Sequence, residues 1–147
     1  MNNELLRHTV AAIRYRLTKA VARTSDGFGE YKVSAHTRTP NDIINHMTDL
    51  ALKATMMVEE VHLNSPAPTQ LTFEKELARF NESLTTLSKL LEAKELDASL
   101  VKKLLQGPVL DMATHVGQIA MLNGLNGNKV PKENYFAADM KNSHPEE

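Results

Sequence analysis

An aspartate and a histidine lie four residues apart, Asp111 and His115, within the stretch 104–125 that reads LLQGPVLDMATHVGQIAMLNGL. On an α-helix that spacing sends both side chains out of one face, about a turn apart, and a carboxylate and an imidazole so placed can hold one divalent ion between them. The same spacing also suits a core histidine satisfied by a neighbouring acid. A third ligand from another helix separates the two readings. His46 is that candidate: it follows Ile43 by three and precedes Leu50 by four, so it shares their side of a helix. Two imidazoles and one carboxylate suit Zn, Ni, Fe, Mn or Co, with Zn or Ni placed first. Three protein ligands leave positions open for water or substrate.

The elements that must position these groups can be read from period and punctuation. Leu6, Val10, Ile13, Leu17 and Val21 repeat with helical period and predict helix one from Glu4 to Arg23. Ser25, Asp26, Gly27 and Gly29 break it, with an extended stretch expected from Phe28 to Val33. Thr39, Pro40 and Asp42 form a start signal for helix two, which runs to about His62 with Ile43, Met47, Leu50, Ala54, Met57 or Val58, and Val61 facing inward. Past the connector NSPAPT, Thr72 is expected to cap helix three, whose Leu77, Phe80, Leu84, Leu87 and Leu91 carry the apolar stripe to Ala93. Asp97 is expected to cap a short extra helix to Leu105, and Gly107-Pro108 to start helix four, which ends near Leu125 with Gly124 and Gly127 as stop residues. The remainder reads as an extended tail in which Tyr135, Phe136 and Met140 dock and Lys141 to Glu147 frays. Four amphipathic helices predict an all-α four-helix bundle in a single domain spanning residues 1–147, a scaffold that builds metal sites from facing helices.

Composition narrows the function classes. The chain has no cysteine, which removes disulfides, zinc ribbons and a thiol nucleophile of its own. Seventeen basic residues against eighteen acidic ones give a net charge of -1, so no global field attracts nucleic acid or an anionic membrane. With aromatics at 5% and no basic stripe, nucleic-acid binding is not expected. The first residues lack a secretory pattern and no run reaches the length of a membrane span, so a cytoplasmic protein is expected.

RTPNDIINHMTDL at helix two, GPVLDMATHVGQIAML at helix four and GNKVPKENYF in the tail resemble the DinB-like family of metal-binding four-helix bundles, which includes the YfiT-like metalloenzymes. That resemblance implies a metal ligand early in helix two, matched by His46, and two ligands four apart on the last helix, the second just before a Gly-Gln pair. His115, with Gly117 and Gln118 following, matches the second; Asp111 stands where the family has a histidine, adding a negative charge and altering metal preference. The resemblance also implies a small-molecule substrate, with a low-molecular-weight thiol as nucleophile in a transferase, or a hydrolase. The alternative is a non-enzymatic homodimeric binding or stress-response protein with no metal or a structural one. Around the site, Asp49 is expected to accept from the His46 ring and Gln118 either to orient water or to bond a facing helix. His8, Tyr15 and Arg14 or Arg16 are placed at its mouth. His36, His62 and His144, in or near loops, are left outside it.

Overall fold

The computed structural model describes residues 3–144, and every regular element among them is helical. Five α-helices follow one another: α1 (Glu4–Ala20), α2 (Pro40–Glu59), α3 (Phe73–Ala93), α4 (Ala98–Leu104) and α5 (Leu110–Leu125). The start of α2 shows how local chemistry fixes an end. Thr39 Oγ1 accepts from the Asp42 N–H at 3.1 Å, Asp42 Oδ2 accepts from the Thr39 N–H at 3.2 Å, and Pro40 fills the first helical position. Two donors that a helix start would leave unpaired are thereby satisfied.

α2 packs on α3 and α5, and α1 packs on the same two helices, an arrangement compatible with a four-helix bundle. Val10, Ile13 and Leu17 of α1, Ile44, Met47 and Ala51 of α2, Phe80, Leu84 and Leu91 of α3, and Met112 and Ile119 of α5 form one continuous core. Side-chain amides then tie the ends together. Asn123 Nδ2 donates to the carbonyls of Ala20 at 2.9 Å and Arg23 at 2.7 Å, and Asn3 Nδ2 donates to those of Leu91 at 2.7 Å and Lys94 at 2.8 Å. Both supply donors to carbonyls at or just past a helix C-terminus, where the chain has none of its own.

Several boundaries differ from the sequence reading, each for a physical reason. Helix one stops at Ala20 rather than Arg23, where the Asn123 amide draws the carbonyls out of the helical path. Helix two stops at Glu59, because Glu60 turns into the left-handed region at φ 59°, and Val61 is exposed instead of inward. Thr72 precedes α3 but its hydroxyl makes no cap; the Leu71 N–H is met instead by Glu76 Oε2 at 3.1 Å. The stretch after Gly27 is a 3-10 turn, Phe28–Glu30, rather than an extended segment, and Phe28 is buried edge-on to Phe73 at 5.5 Å. A side chain at Gly29 would run into the Asn41 carboxamide and into Phe73 Cβ at 2.8 Å, so that turn needs glycine.

The largest correction concerns the last helix. Asp97 does cap the short helix, accepting from the Leu100 N–H at 2.8 Å, but Gly107-Pro108 starts nothing. Residues Leu105–Val109 form a π turn, with Pro108 buried inside it, that joins α4 to α5 without a break. Proline lacks the N–H an α-helix interior would use and crowds the carbonyl four residues back; a wider turn accommodates both. Gly124 lies inside α5, and Gly127 at φ 101° is the stop.

In the tail, the 3-10 turn Tyr135–Ala137 spaces side chains a third of a turn apart. Tyr135 faces α1, Met140 is half-buried, and Phe136 is 99% exposed rather than docked. Of the segment expected to fray, Lys141 to Glu147, residues Lys141–Ser143 instead form a 3-10 turn, and residues 145–147 lie outside those described.

Candidate metal centre

Two helices carry the centre. His46 lies in the second turn of α2, and Asp111 and His115 lie on α5 just past the π turn. One ligand atom from each of the three residues lies within 4.8 Å of the others, so the helices bring together the set that spacing proposed. His46 Nε2 is 3.8 Å from Asp111 Oδ2, and the two imidazole centroids are 4.8 Å apart at 58°. His115 Nδ1 sits 2.6 Å from the Asp111 backbone carbonyl and 3.2 Å from Asp111 Oδ1. A carbonyl oxygen can only accept, so Nδ1 carries the proton and the lone pair is on Nε2.

Donor chemistry and spacing fit a divalent ion. Two metal bonds of about 2.1 Å span at most ~4.2 Å, so the His46–Asp111 pair already lies within range, and the widest separation closes with an adjustment of roughly half an ångström. The charge state fits as well. Burial, followed by the nearness of His115 and Arg38, holds His46 below its ordinary value of 6.5, outweighing the pull of Asp111 and Asp49. Neutral imidazole is the form that binds metal. Among the described residues, this group of His46, Asp111 and His115 could hold a metal ion.

Exposure gives the site its openness. His115 is nearly enclosed, whereas the His46 and Asp111 side chains are 31% and 43% exposed. Two hollows each take one member of the triad into their lining. The one beside His115 holds about 350 Å³ and is lined by residues including His36, Arg38, Gln118, Met121 and Leu122. The other, beside Asp111, is lined by Lys53, Met57 and the π-turn residues Gly107 and Pro108.

The accessory residues divide. Asp49 accepts from Lys53 Nζ at 2.5 Å rather than from the His46 ring. Gln118 is exposed in the hollow beside His115, placed to meet a ligand and not bonded to a facing helix. His8, Tyr15, Arg14 and Arg16 do not line that hollow. Tyr15 donates to Glu133 of the tail, Lys19 pairs with the same carboxylate at 3.4 Å, and Arg16 lies 4.1 Å over the Tyr135 ring, so this face of α1 is where the tail docks. His8 instead lies 5.7 Å from the His144 ring. His36 is not one of the three grouped ligands, but with Thr37 and Arg38 it lines the hollow beside His115. The available signal was position: His36, Thr37 and Arg38 immediately precede the Thr39 cap, so they must pass the end of α2 that carries His46.

Compared with family models, with curated proteins and with solved structures, the chain matches none. Among the described residues, no helix is long and apolar enough to cross a membrane.

Proposed function

We propose that this chain is a divalent-metal-dependent enzyme of the DinB-like kind, acting in the cytoplasm as a small-thiol-dependent transferase or as a hydrolase. The observation that carries the reading is the convergence of His46 with Asp111 and His115 from helices more than sixty residues apart in sequence, around a point that solvent reaches. A structural site would be closed by a fourth protein ligand; a three-ligand set at a hollow leaves room for a reactant. When bound there, a divalent ion lowers the pKa of a thiol or water brought to it. That suits a chain with no cysteine, whose thiol must come from a second small molecule.

The protein's own residues supply binding and orientation. The His115 Nδ1–H bond to the Asp111 carbonyl holds the ring and leaves Nε2 as the nitrogen able to ligate. Asp111 brings one negative charge and favours Zn or Ni less exclusively than a third imidazole, leaving Fe, Mn and Co open. Gln118, exposed in the hollow, can donate to or accept from a substrate.

A second reading rests on a separate observation. Leu110, Met121 and Leu125 of α5 are 50%, 69% and 58% exposed, an apolar outer stripe that supports a homodimer binding a small molecule without catalysis. Elemental analysis of protein purified without a His tag tests the first reading. We expect about one divalent ion per chain; a metal-free preparation that takes up none from solution favours the second.

A further inference from the structure

The two hollows that each take in one triad member differ in one respect that points to the substrate. In the hollow beside Asp111 the cation is Lys53, already paired with Asp49 at 2.5 Å. In the hollow beside His115 the cation is Arg38, which makes no ion pair or hydrogen bond with any described residue. Its backbone is nevertheless held. Just before it, Thr37 Oγ1 accepts from the Ser34 N–H at 3.0 Å and Ser34 Oγ accepts from the His36 N–H at 3.1 Å; just after it comes the Thr39–Asp42 box. An exposed guanidinium on an anchored segment, facing a hollow it shares with a metal ligand, is an anion receptor with no internal partner. Nor does Asp111 supply one, since it does not line this hollow and its carboxylate lies beside His46 and His115. The rest of the lining sets three polar residues, His36, Thr37 and Gln118, beside an apolar strip of Ile43, Leu122 and the exposed Met121. A volume of about 350 Å³ suits a small molecule.

We infer that the substrate of this site is a small organic carboxylate, its anionic group held by Arg38 and its short aliphatic body laid on Ile43, Met121 and Leu122, which directs the reacting part toward His115 and the metal position. The inference rests on the metal reading for its chemistry but not for its binding step, which Arg38 provides.

The test is titration calorimetry with pentanoate, pentan-1-ol and inorganic phosphate, on both metal-free and zinc-loaded protein. Arg38→Gln and Met121→Glu serve as variants; both positions are exposed, and circular dichroism checks their fold. Pentanoate is expected to bind the wild type in both forms, and pentan-1-ol at least tenfold more weakly. Arg38→Gln should weaken pentanoate roughly ten- to a hundredfold, the range for a charge-assisted hydrogen-bonded pair. Met121→Glu should weaken it too, by placing a like charge on the rim. Equal pentanoate affinity in wild type and Arg38→Gln overturns the inference, as does phosphate binding as tightly as pentanoate, since the apolar strip then contributes nothing. Pentanoate binding only to the zinc-loaded form, insensitive to Arg38, assigns the anion to the metal and overturns it equally. Failure to take up zinc with Arg38-dependent pentanoate binding intact refutes the metal reading alone.

Discussion

Asn45 and His46 are consecutive residues of α2, and each feeds a cluster built around a carboxylate. About 100° apart on the helix, they point to different neighbours. Asn45 reaches α3, where Glu76 is fully buried. Its Oε1 accepts from Arg79 Nη2 at 2.5 Å, and its Oε2 accepts from Asn45 Nδ2 at 3.2 Å and from the Leu71 N–H at 3.1 Å. Asn45 also donates to the Pro68 carbonyl at 3.0 Å, so this cluster pins the 64–72 connector to the bundle. Every carboxylate oxygen is used. His46 reaches α5, where Asp111 is 43% exposed and the 3.8 Å gap to Oδ2 is too long for a hydrogen bond. In the first cluster both carboxylate oxygens are committed to donors from side chain and backbone; in the second the Asp111 carboxylate lies near two imidazoles with capacity left over. Burial and hydrogen-bond satisfaction together thus distinguish a carboxylate that holds the fold from one that can take a ligand.

That contrast predicts opposite responses. Glu76→Ala removes the acceptor shared by Arg79, Asn45 and the Leu71 N–H, and should lower unfolding free energy by about 3 kcal/mol while leaving metal affinity unchanged, as measured by urea denaturation beside a zinc titration. His115→Ala should do the reverse, keeping the fold and abolishing the metal-dependent gain, which for the wild type is ~2.7 kcal/mol at a hundredfold excess over Kd. Asp111→His exchanges a carboxylate for a third imidazole and should retain or tighten zinc binding in a chelator competition; loss of binding there would show that the acid, not the position, matters.

Acidity separates the clusters next. The folded chain holds His46 below its ordinary 6.5, chiefly through burial. Above about pH 6.5 both folded and unfolded forms are neutral at this residue and it contributes no slope. As pH falls through 6.5 toward the lower folded value, the unfolded chain takes up the proton first and stability of the metal-free protein is lost. His46→Asn should remove that part of the slope in thermal melts run from pH 8 to pH 5. The smallest effect belongs to the tail: Tyr15→Phe removes the phenol that donates to Glu133, and should raise the rate of proteolytic nicking after residue 128 without altering zinc uptake.

What the amino-acid order made legible follows from the range of each interaction. The Thr39-Pro40-Asp42 start was readable because its bonds span three residues, and Asp111 with His115 because their relation is one helical turn. Pro108 was misread because its meaning depends on the carbonyls behind it: the same Gly-Pro pair that opens a helix elsewhere here sits in a π turn of a helix already begun at Ala98. Asn3 and Asn123 gave no local sign, since their amides serve carbonyls 88 to 103 residues away. For His36 and Arg38 the one sign is position, just before the Thr39 cap of the helix that carries His46; a loop's composition does not tell which hollow it borders.

The central claim is that α2 and α5 together bind one divalent ion through His46, Asp111 and His115. Thermal melts of the untagged wild type and of His115→Ala, each titrated with zinc, test it most directly. A saturable rise in Tm with one ion per chain for the wild type and none for the variant is the predicted result. An equal rise in both, or none in either, would contradict it.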